Sequence, residues 1–254
     1  MILDSFRLDG RVALVTGAAM GLGQGYALAL AEAGADIVGL DRCNSDETGK
    51  LVTQRGRRYS QICADLREAS VDDLNQMVGR VKTEFGRLDI LVNNAGIIRR
   101  APAFEFGEKD WDDVLHINLK SVFFLAQAAG RVMKEQGGGK IINIASMLSF
   151  QGGILVPSYA AAKSGVAGIT RSLANEWAKY NINVNAIAPG YMATENTAPI
   201  RADAARNQSI LDRIPAGRWG TPDDLRGIVV FLASAASDYM HGAIVCVDGG
   251  WLTR

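Results

Sequence analysis

Histidine and cysteine are scarce in this chain. Its 254 residues hold two histidines, His116 and His241, and three scattered cysteines, Cys43, Cys63 and Cys246, with no Cys-x-x-Cys pair. That set offers zinc no plausible ligand cluster, so no metal is expected, and the odd cysteine count gives no disulfide framework. Three reduced, partly buried thiols are expected, as in a cytosolic protein. Net charge is also missing: 27 basic residues balance 27 acidic ones, and no polybasic block occurs. No global field therefore draws the chain to nucleic acid or to an anionic membrane. No uninterrupted apolar run approaches the ~20 residues of a membrane span. The stretch from Met1 to Arg7 has no basic segment leading into an apolar one, so it does not read as a signal peptide. Neither nucleic acid nor membrane is expected as a partner, and the cytoplasm is the expected location.

Short apolar runs are plentiful instead, and they alternate with longer amphipathic stretches. Runs at 12–15, 36–40, 59–64, 90–92, 140–144, 182–187 and 244–247 are rich in β-branched residues and almost free of charge. Strands covered on both faces by helices have this composition. Helical patterns lie between them at 22–33, 71–85, 111–135, 159–180 and 222–232, with Thr221-Pro222 as a start signal for the last. The alternation predicts an α/β fold, doubly wound, in one domain over 1–254 with no Pro- or Ser-rich linker. The segment from about 189 to 215 has no place in the alternation and follows a strand, where open α/β sheets bind ligands. It is a candidate substrate loop, with a solvated insertion as the alternative.

The first strand runs into Thr16-Gly17-Ala18-Ala19-Met20-Gly21-Leu22-Gly23 and then into a helix. Glycines let a backbone approach a pyrophosphate, and the helix start offers unpaired N–H groups to it. Asp41 ends the second strand, where a carboxylate accepts hydrogen bonds from ribose hydroxyls and repels a 2′-phosphate, which favours NAD over NADP. Arg42 beside it pulls the other way, because a guanidinium accommodates phosphate. Asp65, followed by Leu66, either contacts the adenine or caps a helix.

Tyr159 and Lys163 stand four apart in a helical stretch, hence on one face. A neighbouring ammonium is expected to pull the phenol below its ordinary pKa, making Tyr159 a proton donor and acceptor for a substrate oxygen. Ser146 follows a strand end and can hydrogen-bond the same oxygen. Asn93-Asn94-Ala95-Gly96 follows another strand end and reads as a wall beside the cofactor. Asn118, a poor helix former inside a helical run, either holds a water for proton relay or is a tolerated surface residue.

In this order the segments Thr16 to Gly23, Asn93 to Gly96, Asn118, Ser146, Tyr159 to Lys163 and Pro189-Gly190 resemble the short-chain dehydrogenase/reductases along nearly the whole chain. The resemblance implies a Rossmann-type parallel sheet of seven strands and a nicotinamide cofactor. It implies that Asn118, Ser146, Tyr159 and Lys163 are catalytic, and that Lys163 also binds the nicotinamide ribose. Gly17, Met20, Gly21, Leu22, Gly23, Asp41, Asp65, Leu66, Asn93, Ala95, Gly96, Pro189, Gly190 and Thr194 fall at cofactor-binding positions, with Ile187 against the nicotinamide ring. A non-catalytic dinucleotide-binding regulator on the same fold is the alternative; retention of the whole cluster argues against it.

For the substrate, Arg99 and Arg100 after Gly96 suit a carboxylate unless they are solvated surface charge. Gln151, with glycines 152 and 153, can meet hydroxyls. The stretches 140–154, 175–194, 213–222 and 247–251 resemble family members that act on keto-deoxy sugar acids in pectin and uronate breakdown. Gluconate dehydrogenases and acyl-carrier-protein reductases are the alternatives, and Asp41 argues against the latter. By family analogy the assembly is a homotetramer, with Trp251-Leu252 packing either on a neighbour or on its own core.

Overall fold

A computed structural model describes every residue from Met1 to Arg254. Seven parallel strands form one sheet in the order β3-β2-β1-β4-β5-β6-β7. They are β1 Val12–Thr16, β2 Asp36–Asp41, β3 Tyr59–Cys63, β4 Ile90–Asn93, β5 Gly139–Ile144, β6 Ile182–Pro189 and β7 Ile244–Val247. The strand order reverses between β1 and β4, which opens a crevice at their carboxyl ends.

The two faces of the sheet explain the unbroken apolar runs. Ala13, Val15, Ile37, Val92, Ile142 and Ile187 pack with Tyr26, Leu30, Val229 and Leu232 on one side. Val12, Leu14, Val38, Leu91, Ile141 and Val184 pack with Val78, Leu125, Met133 and Leu173 on the other. Alternate side chains of each strand thus enter opposite cores. Each buried Leu, Ile or Val contributes about 1.5–3 kcal/mol. The first core is completed by α1 (Gly21–Glu32) and α9 (Arg226–Ala233), the second by α3 (Val71–Phe85), α5 (Ser121–Gln136) and α6 (Pro157–Trp177).

Four features differ from the sequence expectation. Helix α2 (Asp46–Gln54) has no counterpart in it, because Thr48, Gly49 and Val52 alone are buried and the apolar stripe is too thin to read. The helix expected over 111–135 is three pieces: α4 (Glu108–Leu115), a π-turn at His116–Lys120, and α5. The expected helix at 222–232 begins as a 3-10 turn, Pro222–Leu225, before α9. The cysteines, expected to be partly buried, are all exposed. The segment after β6 contains two short helices, α7 (Ala198–Ala202) and α8 (Ala204–Leu211). No helix is long and apolar enough to cross a membrane.

Candidate active site

Strand ends and the starts of two helices converge at the crevice. The turn after β1 is moulded from within. A Cβ on Gly17, at φ +68, would meet Asn94 Nδ2 at 2.8 Å, and one on Gly23 would collide with the Gly17 carbonyl. Gly21, at φ +60, is different: its Cβ direction is open except for Thr194 Cγ2 at 4.0 Å. Gly17 and Gly23 therefore shape the turn, and Gly21 keeps it low beneath a ligand. Met20, at the N-cap of α1, provides no side-chain cap and points into solvent, so the first amides of α1, those of Gly21, Leu22 and Gly23, face the crevice without a side-chain acceptor. An uncapped helix start over an open glycine, with Thr194 opposite, fits the pyrophosphate of a dinucleotide.

Asp41 ends β2 beside this turn. Its Oδ2 accepts from the Ala19 amide at 2.9 Å and its Oδ1 from the Cys43 amide at 3.0 Å. Each oxygen keeps a free lone pair, so the fixed carboxylate still fits ribose hydroxyls. Asp65 does not cap a helix. It accepts from the Arg67 amide at 2.9 Å and from Arg67 Nη2 at 2.6 Å, while Ser70 caps α3. The Leu66 side chain is in the core, which leaves only its backbone for an adenine.

The wall after β4 is tied to β1. Thr16 Oγ1 accepts from the amides of Asn94 at 2.9 Å and Ala95 at 2.8 Å, and Asn94 Nδ2 donates to the Thr16 carbonyl at 2.9 Å. Asn93 Nδ2 donates to Asn143 Oδ1 at 3.0 Å, and Asn143 Nδ2 to Thr170 Oγ1 at 3.0 Å, which links β4, β5 and α6. Asn93 thus braces the sheet from a buried position, and Ala95 and Gly96 form the wall itself. A Cβ on Gly96 would meet Asn118 Oδ1 at 3.1 Å.

Asn118 is 0% exposed, so it is no surface residue. Its Oδ1 accepts from the Ile97 amide at 2.9 Å and its Nδ2 donates to the Ile97 carbonyl at 2.8 Å. The side chain serves the wall and keeps one Nδ2 hydrogen and one Oδ1 lone pair beyond that pairing. The π-turn around it explains the interrupted helix: Ser121 N–H and Oγ–H both reach back to the His116 carbonyl.

Ser146, Tyr159 and Lys163 come together. Ser146 lies beyond the end of β5, where its Oγ accepts from the Leu148 amide at 3.1 Å and keeps its own O–H free to donate. Ser149 fastens this segment to α6 by donating to the Lys163 carbonyl at 2.6 Å. Lys163 is 3% exposed; its Nζ donates to the Ile144 carbonyl at 2.5 Å and stands 5.6 Å from the Tyr159 ring centroid. Burial brings its pKa from 10.5 to about 8. The expected lowering of the Tyr159 pKa is corrected here. Burial pushes the phenol above its ordinary value, opposed by a hydrogen bond with Ser146 and by the charge of Arg100. Burial is the largest influence on the phenol, and Lys163 gives its hydrogen bond to the Ile144 carbonyl.

β6 delivers Pro189 and Gly190 to the crevice, with the Gly190 amide bonded to the Val247 carbonyl at 3.0 Å. Ile187 is not on the crevice wall: it is fully enclosed in the core, opposite Ile144. Arg99 Nε is engaged with Asp110 at 3.1 Å, whereas Arg100 is exposed and its charge reaches Tyr159. Gln151 Oε1 accepts from Arg213 Nη2 at 3.2 Å. A third apolar cluster joins Met147, Leu148 and Val156 to Ile210 and Ile214 of the 189–215 region and to Trp251, with Tyr159 and Tyr191 against it. Trp251 therefore packs on its own chain. Arg213, Ser149, Tyr191 and Trp251, which flank this region, were not singled out from the sequence as site candidates, for no local spacing marks them. A polar cavity of about 350 Å³ lined by Arg11, Asp89, Lys140 and Asp238 lies at the opposite, leading ends of the strands and holds none of these residues.

Comparisons with known proteins agree with this geometry. A family model described as enoyl-(acyl carrier protein) reductase (adh_short_C2) matches residues 17–252. The chain is 63% identical to 2-dehydro-3-deoxy-D-gluconate 5-dehydrogenase of Escherichia coli K12 over 255 residues, covering 100% of both. Among solved structures, it is similar to a putative 2-deoxy-D-gluconate 3-dehydrogenase from Agrobacterium tumefaciens with bound NADP (TM-score 0.92, 55% identity, covering 98% of this chain and 99% of that one). It is also similar to a gluconate 5-dehydrogenase from Burkholderia cenocepacia in complex with NADP and tartrate (TM-score 0.94, 42% identity, covering 100% of both). With the ordered motifs gathered at one crevice and relatives matching from end to end, the chain belongs to the short-chain dehydrogenase/reductase family of oxidoreductases.

Proposed function

We propose that the protein is an NAD(H)-dependent dehydrogenase of a keto-deoxy sugar acid, interconverting 3-deoxy-D-glycero-2,5-hexodiulosonate and 2-dehydro-3-deoxy-D-gluconate. The observation that carries the reaction class is the meeting of Ser146, Tyr159 and Lys163 at the carboxyl end of β5, beside a turn that fits a dinucleotide. Bound nicotinamide supplies or accepts the hydride. The Ser146 hydroxyl holds the substrate oxygen, and Tyr159 gives that oxygen a proton in reduction or removes one in oxidation. Lys163 orients the ribose and steadies the phenolate when it forms. Asn118 keeps the wall after β4 in place through Ile97.

The substrate class is supported by the name of the 63% identical relative and by the tartrate, a hydroxy-dicarboxylate, in a 42% identical one. Gluconate oxidised at C5 is the second reading, supported by the same tartrate-bound structure. The Asp41 carboxylate favours NAD, because it stands where a 2′-phosphate would meet like charge. The exposed Arg42 beside it and the NADP of two similar structures support the alternative cofactor. We also place the protein in the cytoplasm as a homotetramer, which light scattering on a sizing column tests. The deciding experiment assays purified protein with NADH and NADPH against 2,5-diketo-3-deoxy acid, 5-ketogluconate and a 3-oxoacyl thioester. Fastest turnover of the deoxy acid with NADH is expected; turnover of the thioester alone overturns the proposal.

A further inference from the structure

We infer that Arg213, Gln151 and the indole Nε1 of Trp251 form the subsite that takes the substrate's carboxylate. This rests on the sugar-acid reading above and names the group that reading leaves unassigned. Arg99 is a poor clamp, since Asp110 already neutralises it across 3.1 Å. Arg100 is exposed, and no hydrogen bond fixes its guanidinium. Arg213 is held twice and neutralised by nothing. Its Cζ lies 4.0 Å from the Trp251 ring centroid, and its Nη2 donates to Gln151 Oε1 at 3.2 Å. A guanidinium has five N–H donors in a rigid plane; with one of them spent on Gln151, a bidentate edge remains for a carboxylate.

A second observation points to a ligand. Trp251 is 5% exposed, and its Nε1 is a buried donor with no acceptor. An unpaired buried N–H is costly unless something accepts from it. The indole packs edge-on to Tyr191, with ring centroids 4.8 Å apart, in the cluster that also contacts Tyr159. Gln151 stands five residues beyond Ser146 on the same segment. One aromatic platform therefore carries a fixed cation and an orphan donor, in the cluster that Tyr159 packs against. A carboxylate fits this pair better than a hydroxyl, because it alone brings a full charge to the guanidinium and a strong acceptor to the indole N–H.

Arg213→Gln tests the assignment, and because Arg213 is exposed the variant should fold. KM for the keto sugar acid should rise about 10- to 100-fold with kcat little changed, while KM for a neutral ketose of the same chain length stays put. Trp251→Phe, which keeps the ring and removes the N–H, should raise KM for the acid alone. Tartrate at constant ionic strength should raise the melting temperature of the wild type and leave that of Arg213→Gln unmoved. An equal rise in KM for acid and neutral substrate in Arg213→Gln, or tartrate stabilisation surviving in that variant, overturns the subsite. Failure of the wild type to turn over any sugar acid overturns the parent reading, and the tartrate measurement still decides the subsite.

Discussion

Lys163 Nζ bonds the backbone carbonyl of Ile144, two residues before Ser146, so one strand fixes both the amine and the hydroxyl of the site. The amine is almost wholly enclosed, and burial lowers its pKa from 10.5 to about 8. Between those values the unfolded chain binds a proton that the folded chain does not, so the cost of burying this residue, full below pH 8, is relieved as pH rises toward 10.5. Without cofactor, wild type should gain on Lys163→Met by up to ~1.4 kcal/mol per pH unit between pH 8 and 10. Urea unfolding at several pH values checks this; parallel profiles would reject a displaced lysine.

Tyr159 is pushed up by burial, so it is a protonated donor at neutral pH. Ketone reduction should then vary little from pH 6 to 8, whereas alcohol oxidation should climb with pH as phenolate becomes available. Tyr159→Phe should lower kcat in both directions by about 10²–10⁴-fold while fluorescence titration shows near-normal dinucleotide binding. Undiminished turnover in this variant would remove the proton donor from the mechanism.

Asn118→Ala leaves the amide and carbonyl of Ile97 without the partners they have at 2.9 and 2.8 Å. A loss of about 2 kcal/mol is expected, together with a fall in kcat, because the wall after β4 loosens. Thermal unfolding and steady-state kinetics report the two effects separately. A fall in kcat without any loss of stability would point instead to direct contact with the reacting groups.

Asp41→Ala removes the carboxylate that the proposed function assigns to the ribose and also the acceptor of the Ala19 and Cys43 amides. The ratio of kcat/KM for NADH over NADPH should drop about tenfold or more, with some loss of affinity for both. An unchanged ratio would assign Asp41 to loop structure alone.

The sheet was legible because its strands are buried on both faces, so runs such as Val12 to Val15 stand out without any periodicity. Helix α2 was not, since Ser45, Thr48 and Gln61 hold it by polar contacts that leave no apolar stripe. At the site, Gly17 to Gly23, Ser146 and the Tyr159–Lys163 pair could be picked out because each is a local pattern. The state of the phenol could not be, for it depends on how completely Tyr159 and Lys163 are enclosed. Nor could the partners of Arg99 and Arg213, which a fold alone decides: Asp110 takes the first, Gln151 and Trp251 the second.

The wide turn at His116–Lys120 has a consequence for chain length. Each residue of an α-helix advances the azimuth by about 100°, and a π-turn takes up one residue beyond the regular winding. Deleting one residue there would rewind the segment as ordinary helix with Leu125, Ala129 and Met133 still facing the core, but would remove the widened turn that carries Asn118 to Ile97. A residue added or removed within α5 itself would instead turn that face away by about 100°, so the surplus residue serves the placement of Asn118 and not the packing of α5.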